Sequence, residues 1–228
     1  MTHSIHAAAA ALLLSTLSFG ALALTPAAVE LTDLPGVKAT AISCYLQSDC
    51  SAPGAFSAMN AIDNVAYAYP GTGAWNAGTY AGASGNWLRI DFGAVYDFQR
   101  IQIDGPVNSI STWRGYSNRF VLSTSVDGMS WTAAGGGAWI DVPGNTALSS
   151  AVFNFAPGAQ PFGRFLEYRV LGAVAGTNEH WSGVSEINAL GNLHVSAVPE
   201  PVSWALLLLG LGVIAAKRSV QRARQAVR

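Results

Sequence analysis

Aromatic and polar side chains occur together in three stretches that are rich in glycine or lie beside turn signals. Such sets recognise sugars, because an aromatic ring packs against the C–H face of a pyranose while nearby polar groups bond its hydroxyls. Each ring alone more often packs in a core, but the set as a whole predicts at least one ring that faces a ligand. The candidate ligand-binding residues are Trp75, Tyr80, Trp113, Arg114, Tyr116, His180 and Trp181.

Residues that could perform catalysis form no recognisable motif. The sequence contains neither G-x-S-x-G nor H-E-x-x-H, and no cysteine is matched with a histidine in a nucleophile motif. Asp104 and Glu179 could meet in space as a carboxylate pair, although nothing in their spacing indicates it. The sequence therefore predicts a protein that is not an enzyme, with a hydrolase as the least favoured alternative.

The charge distribution argues against a nucleic-acid partner. Of the 13 Asp and Glu residues, all but Glu200 lie between residues 24 and 197, whereas five of the 12 Lys and Arg residues lie within residues 217–228. The body of the chain is therefore mildly acidic and has no basic stripe that would release counterions from phosphates.

Residues 1–23 are predicted to be a signal peptide. The apolar run at residues 7–19 is shorter than the roughly 20 residues that span a bilayer. Ala21-Leu22-Ala23 is the small-x-small pattern that signal peptidase accepts. No Lys or Arg precedes the run, and a buried N-terminal helix is the alternative. We expect an exported protein whose mature chain starts near Leu24.

The C-terminus combines a linker at residues 192–201 with Pro199-Glu200-Pro201, an apolar membrane helix at 202–216 and a basic cytoplasmic tail at 217–228. This arrangement resembles the PEP-CTERM sorting signal of Gram-negative bacteria. The resemblance implies recognition by an exosortase, a membrane protease. It also implies an inner-membrane precursor that is delivered to the cell surface or extracellular matrix. An ordinary tail anchor is the alternative.

Cys44 and Cys50 are the only cysteines. In an oxidising compartment two nearby cysteines usually pair, and so short a loop stabilises a fold by about 2 kcal/mol. Structural zinc is disfavoured, because it requires four ligands and the sequence has no Cys-His cluster. We therefore expect a disulfide.

Alternation of apolar and polar residues predicts short strands separated by turns. Residues 88–92 alternate in this way, in a strand expected to end at Gly93, and Trp87 and Trp131 are expected in the core. No amphipathic helix is evident, so the pattern favours a two-sheet sandwich. Further strands are expected around residues 101–103, 120–126, 152–155 and 166–170, with a turn at Asp127-Gly128 and a loop at 135–137.

Several short motifs follow one another in a fixed order. They are NAIDN at 60–64, WLRIDFG at 87–93, SVDGMSW at 125–131, RFLEYRV at 164–170 and WSGVSEI at 181–187. Together they resemble the discoidin family, the coagulation-factor type C domains of the galactose-binding-like fold. The resemblance covers about residues 40–191, after a lead-in at 24–39. It implies an all-β sandwich, a jelly roll that binds ligands, mainly glycans, through its loops.

The same resemblance implies a calcium site, because many sugar-binding relatives hold a structural calcium near the first motif. Asp63 and Glu186 match the side-chain ligand positions, and the carbonyls of Asn60 and Val65 could add oxygens. Two departures affect this loop. Ala68 stands where relatives often supply a threonine hydroxyl. The chain also reads Asp-Asn-Val where they commonly read Asp-Gly-Asn, although asparagine tolerates the left-handed conformation. The alternative is that Asp63 caps a turn and Glu186 pairs with an arginine.

These observations predict an exported cell-envelope or matrix module that binds carbohydrate, such as an exopolysaccharide, through its loops. The acidic body favours a neutral ligand over a polyanion. The alternative from a different class is a structural matrix or biofilm protein that packs against its neighbours and has no specific small ligand.

Overall fold

The computed structural model describes residues 27–45, 48–65, 73–77, 85–105, 118–139, 150–173, 183–196 and 210–211. Within them the chain forms β-strands and a short 3₁₀ helix at Ala58–Ile62. The strands are β1 (Val29–Glu30), β2 (Lys38–Ala41), β3 (Trp75–Asn76), β4 (Trp87–Asp104), β5 (Asn118–Ser125), β6 (Thr132–Ala138), β7 (Ser150–Asn154), β8 (Phe162–Ala173), β9 (Gly183–Val184) and β10 (Glu186–Leu193).

Strand β4 links the two halves of an antiparallel sandwich. Residues 87–91 pair with β2 on one side and β8 on the other, and β5 and β6 extend this first sheet beyond β8. Residues 100–104 pair with β10 and β7, and β1 extends this second sheet beyond β10. The predicted all-β sandwich is confirmed.

A bulge at Gly93 lets β4 continue where the sequence predicted its end. The expected separate strands at 88–92 and 101–103 are one strand of 18 residues. Gly93 has a φ of 77°, its amide donates to Asp91 Oδ1 at 2.8 Å, and the register with β8 shifts between Asp91 and Tyr96. Because glycine adopts this conformation without steric cost, the strand bends rather than ends.

Alternate residues of the strands fill one core between the sheets. Leu88 and Ile90 are fully buried, as the alternation predicted, and Ile101 and Ile103 are buried further along the same strand. A tryptophan or tyrosine buried in such a core needs a hydrogen-bond partner for its N–H or O–H group. Accordingly, Trp139 Nε1 donates a buried hydrogen bond of 3.0 Å to the hydroxyl of Tyr168.

Trp87 and Trp131 lie on the outer face of the first sheet, which corrects their expected place in the core. Leu88 points inward, so its neighbours Trp87 and Arg89 point outward, as the period of two in a strand requires. The guanidinium carbon of Arg89 lies 4.1 Å and 4.7 Å from the ring centroids of Trp87 and Trp131. Arg89 Nε also donates to the buried carboxylate of Glu167 at 2.6 Å.

The glycines at 135–137 belong to β6 rather than to the predicted loop. A Cβ at Gly135 would lie 2.6 Å from Cδ1 of Phe153, and a Cβ at Gly136 would lie 2.8 Å from the carbonyl oxygen of Phe120. Glycine here allows another chain segment to approach the strand closely, which is its usual reason for being in a strand.

The two ends of the chain fall almost wholly outside the described residues. Gly210 and Leu211 are helical and exposed. Within the described part of the chain, no helix combines the length and apolar character needed to cross a membrane. The signal peptide, the Pro199-Glu200-Pro201 motif and the basic tail lie outside the described residues and stay predictions.

Candidate functional site

Several strand ends of the first sheet meet at one end of the sandwich, which we call the loop end. Asn118, the first residue of β5, pairs with Ala173, the last residue of β8. Arg119 pairs with Ala138, the last residue of β6. The segments at 106–117, 140–149 and 174–182 are therefore attached to neighbouring strands at the same edge.

The second sheet presents a matching group of strand ends. Asp104, the last residue of β4, lies opposite Ser150 of β7 and Glu186 of β10. The small sheet of β3 and β9 lies next to this group along the chain, because β9 ends two residues before Glu186. Trp75 of β3 pairs with Val184 of β9, and its Nε1 donates to the carbonyl of Ser43 at 3.2 Å.

Most of the predicted sugar-binding residues belong to the segments attached at the loop end, whereas Tyr80 lies between β3 and β4. The described anchors on either side bring the ends of these segments together. The residues themselves lie outside the described part of the chain, so their role stays a prediction. They are Tyr80, Trp113, Arg114, Tyr116, His180 and Trp181.

Trp75 is the exception, and its position corrects the expectation that it faces a ligand. Its side chain has no exposed surface, and its ring packs edge-on against Tyr168 with centroids 6.3 Å apart. The glycine-rich sequence around it suggested a loop, but the pairing of β3 with β9 turns the indole into the core. A buried ring cannot stack on a sugar, so Trp75 has a packing role.

Two carboxylates meet at the strand ends of the second sheet. Asp63 ends the 3₁₀ helix, and its Oδ1 accepts a hydrogen bond of 3.0 Å from the amide of Val65. Asn64 between them has a φ of 62°, so the expected left-handed turn is formed. Glu186 at the start of β10 is 2% exposed. Its two carboxylate oxygens accept no hydrogen bond of normal geometry within the described residues.

Burial perturbs both acids, and the charge of Asp63 further perturbs Glu186. Burial, and then the charge of Asp63, raise the pKa of Glu186 to about 8, while the nearby amides of Asn64 and Val65 oppose the rise. Burial also raises the pKa of Asp63, against the opposing hydrogen bonds from the Val65 amide and from the side chain of Glu186. A buried carboxylate without partners is costly, so this pair is suited to a cation that neutralises it.

These residues fit part of a calcium site. Calcium takes six to eight oxygen ligands, and Asp63 and Glu186 would supply carboxylate oxygens, with the carbonyls of Asn60 and Val65 as further donors. No group of three or more His, Cys, Asp or Glu side chains gathers anywhere in the described ranges. Carbonyls and water would therefore complete the shell. The alternative pairing of Glu186 with an arginine is not formed by any described arginine.

A disulfide braces the segment that leads to these acids. Cys44 and Cys50 are bonded, with Cα atoms 5.4 Å apart. The carbonyl of Cys50 accepts hydrogen bonds from the amide of Ala58 at 3.0 Å and from Ser57 Oγ at 3.2 Å. Since these residues begin the 3₁₀ helix that Asp63 ends, the disulfide helps to fix the position of Asp63.

The other end of the sandwich carries a cleft that the sequence did not predict. It has a volume of about 520 Å³, and its walls are the turn after β5 and the chain before β8. The sequence showed the turn at Asp127-Gly128, which is formed with a φ of 75° at Gly128. It gave no signal that Phe155 and Phe162 from distant segments would face this turn.

The antiparallel pairing of the described strands defines an all-β sandwich domain. A family model described as the F5/8 type C domain matches residues 38–187, and the chain belongs to this family. The resemblance drawn from the ordered motifs is thereby confirmed for the domain. Domains of this family are binding modules and are generally not catalytic, although some are fused to enzymes. A search of curated proteins finds no match.

Solved structures with a similar fold include sugar-binding modules and a lectin. The family 32 carbohydrate-binding module of NanJ from Clostridium perfringens, solved with galactose, is 16% identical, with a TM-score of 0.48 over 72% of this chain and 98% of that chain. Another family 32 module, CBM32-3 from a family 31 glycoside hydrolase of the same organism, is 18% identical. Its TM-score is 0.49 over 72% of this chain and 95% of that chain. A fucolectin from striped bass, Morone saxatilis, is 19% identical, with a TM-score of 0.48 over 69% and 47%.

Proposed function

We propose that the protein is an exported carbohydrate-binding module whose ligand contacts the segments attached at the loop end. One observation carries the proposal. In a chain of the F5/8 type C family, the pairing of Asn118 with Ala173 attaches the segment with Trp113 beside the segment with Trp181. Aromatic rings supplied by two adjacent segments are what a shallow sugar site requires.

The predicted residues divide into two roles. The rings of Tyr80, Trp113, Tyr116 and Trp181 would stack on the C–H faces of a sugar, and Arg114 and His180 would hydrogen-bond its hydroxyls. The acidic body of the chain favours a neutral polysaccharide. Calcium, held by Asp63 and Glu186, would stabilise the loop end and take no direct part in the choice of ligand.

The signal peptide and the three-part C-terminus supply the destination. An exosortase would recognise the Pro199-Glu200-Pro201 region in a precursor held in the inner membrane by residues 202–216. The module would then act at the cell surface or in the extracellular matrix, where exopolysaccharide accumulates.

The experiment is a titration of the purified protein with a panel of galactose, N-acetylgalactosamine, fucose, glucose, mannose and their oligosaccharides. A single shallow site should bind in the millimolar to micromolar range, about 4–8 kcal/mol. Trp113→Ala and Trp181→Ala should each weaken binding at least tenfold while melting temperatures change little. Val152→Ala, on an exposed position of β7, is the control. Unchanged affinity in both tryptophan variants would rule out this site.

One structural feature favours the alternative of a matrix protein. Within the described residues, β6 pairs only with β5 and so leaves an open sheet edge. Its sequence TAAGGGA has no charge and no proline, the usual protections against edge-to-edge pairing. Self-association that Ala133→Lys abolishes, together with no binding to any glycan of the panel, would favour this alternative over the binding module.

A further inference from the structure

The cleft at the end of the sandwich opposite the loop end has the dimensions of a ligand site. Strand β5 runs from the loop end at Asn118 to the cleft at Ser125, about 23 Å at the usual rise of 3.3 Å per residue. The cleft volume of about 520 Å³ lies within the range of roughly 300–1,000 Å³ that small-molecule sites occupy. Its position makes it independent of the segments that hold Trp113 and Trp181.

An aromatic ring is held in a fixed orientation on one wall. Phe162 lines the cleft and stacks on His194, with ring centroids 4.7 Å apart and planes 11° from parallel. His194 is itself fixed by a contact of 2.7 Å between its Nδ1 and Asp97 Oδ1. Although this stacking covers one side of the ring, Phe162 remains 48% exposed. A ring fixed in this way can pack against a sugar at little entropic cost.

Polar groups with unused hydrogen-bonding capacity stand on the other walls. Asp127 Oδ1 accepts hydrogen bonds from Ser125 Oγ and from the amides of Met129 and Ser130. Its Oδ2 accepts none within the described residues. Gln160 Oε1 accepts from the Gly158 amide at 2.7 Å, which leaves the two N–H groups of its side chain to donate. The cleft therefore offers an acceptor, a donor and an apolar face, which is the combination that binds a pyranose.

The charge of the cleft selects against anions. Asp127 is the only ionisable side chain among the described residues that line it. The hydrogen bonds from Ser130 and Met129 lower the pKa of Asp127, so its carboxylate is charged at neutral pH. None of the described lining residues is a cation that could pair with a phosphate, sulfate or uronate group, and the carboxylate repels each of them.

We propose that this cleft is a second carbohydrate site, which binds one neutral sugar residue between Phe162, Gln160 and Asp127. The proposal rests on the proposed function for the class of ligand, but not on any loop-end residue. Two sites at opposite ends would let one module bridge two polysaccharide chains. Such bridging has a direct use in a matrix, because linked sites gain avidity without new contacts.

The experiment follows the backbone amide signals of Ser130 and Gly163 by NMR while glucose, galactose or cellobiose is added to the purified protein. We expect saturable shifts that persist in the Trp113→Ala/Trp181→Ala variant. Phe162→Ala and Gln160→Ala should each weaken the response at least tenfold. Val152→Ala, which is 46% exposed and lies outside the cleft, should leave it unchanged. Gln160→Ala also covers the case in which Phe162→Ala disturbs the end of β8.

A charged sugar tests the effect of Asp127 on the choice of ligand. Glucuronate, which carries a carboxylate in place of the hydroxymethyl group of glucose, should bind at least tenfold more weakly than glucose. Asp127→Asn should reduce that difference, since asparagine retains the acceptor that holds the turn. Equal binding of the two sugars in the parent protein would overturn the proposal.

Three further outcomes would overturn it as well. The cleft signals could stay fixed while loop-end variants alter sugar binding, which leaves the proposed function standing without a second site. The signals could move with protein concentration in the absence of sugar, which assigns the cleft to a second copy of the chain. No sugar could bind at either end, which removes both proposals. A different result would refute only the loop-end site: sugar binds the cleft, and the loop-end variants have the same total sugar affinity as the parent protein.

Discussion

The guanidinium carbon of Arg89 lies 4.7 Å from the centroid of the Trp131 ring, on the outer face of the first sheet. The same guanidinium contacts the ring of Trp87 and the buried carboxylate of Glu167. Trp131 thus stabilises the fold from the surface, by shielding an ion pair from water and by a cation–π contact.

Trp131→Ala should therefore cost stability without abolishing the fold. A cation–π contact at a partly exposed site contributes about 0.5–2 kcal/mol, and we expect a loss in the free energy of unfolding of this size. Urea denaturation followed by far-ultraviolet circular dichroism measures it. Trp131→Phe should lose less than Trp131→Ala, because phenylalanine keeps a ring face. A variant that does not fold would show that Trp131 belongs to the core after all.

Trp75→Ala should damage the fold far more. Its ring is fully buried, and truncating a buried large aromatic residue costs about 3–5 kcal/mol. Sugar affinity per folded molecule should not change, because the ring faces Tyr168 rather than solvent. Calorimetric melting and titration with the best glycan of the panel measure the two effects. Weaker binding at an unchanged melting temperature would contradict the core placement.

Glu186 should make the metal-free protein less stable as the pH rises. Its pKa is about 8 in the folded state, against 4.5 for the ordinary group. The folded state therefore holds the proton more tightly between these values. The contribution of Glu186 to the free energy of unfolding is complete below pH 4.5 and is lost as the pH rises through about 8. In chelator, the melting temperature should fall over this window, and Glu186→Gln should remove most of the fall.

Calcium should reverse this loss in the parent protein. A ligand that binds only the folded state at 100 times its Kd stabilises it by about 2.7 kcal/mol. Asp63→Ala and Glu186→Gln should both abolish the calcium-dependent rise in melting temperature. Identical melting curves with calcium and with chelator, at pH 8, would leave the two acids in structural roles.

Removal of the disulfide should loosen the segment before Asp63. A loop of so few residues contributes about 2 kcal/mol, and Cys44→Ser/Cys50→Ser should lower the free energy of unfolding by that amount. If calcium binds, its affinity should fall as well, since the disulfide fixes the start of the 3₁₀ helix. Two free thiols in the exported, non-reduced protein, found by mass spectrometry, would contradict the pairing.

The basic tail should be needed for sorting. Replacing Lys217, Arg218, Arg222, Arg224 and Arg228 by glutamine removes the charges that keep the C-terminus on the cytoplasmic side. We expect weaker membrane retention and loss of processing, measured by cell fractionation and intact mass. A variant that is matured and localised like the parent would refute the sorting hypothesis. Recovery of the intact N-terminus at Met1 would likewise refute the predicted signal peptide.

Local patterns predicted the strands well, because alternation and turn chemistry act over a few residues. The buried face at Leu88 and Ile90 and the turn at Gly128 were predicted in this way. The same reasoning failed at Gly93 and at 135–137. Glycine in a sequence is usually taken to end a strand. In the structure, Gly93 instead forms a bulge within β4, and Gly135 allows Phe153 to approach β6 closely.

The sequence by itself determined the family, the all-β class and the segments that could carry a sugar site. Those properties depend on the order of motifs and on the period of side chains along each strand. The tertiary structure alone decided that Trp75 is core, that Trp131 shields Arg89, that Glu186 is buried beside Asp63 and that Phe162 faces the turn at Asp127. Each of these relations joins residues that are far apart in the chain. It exists only once antiparallel pairing fixes which strands are neighbours, and no local pattern encodes that pairing.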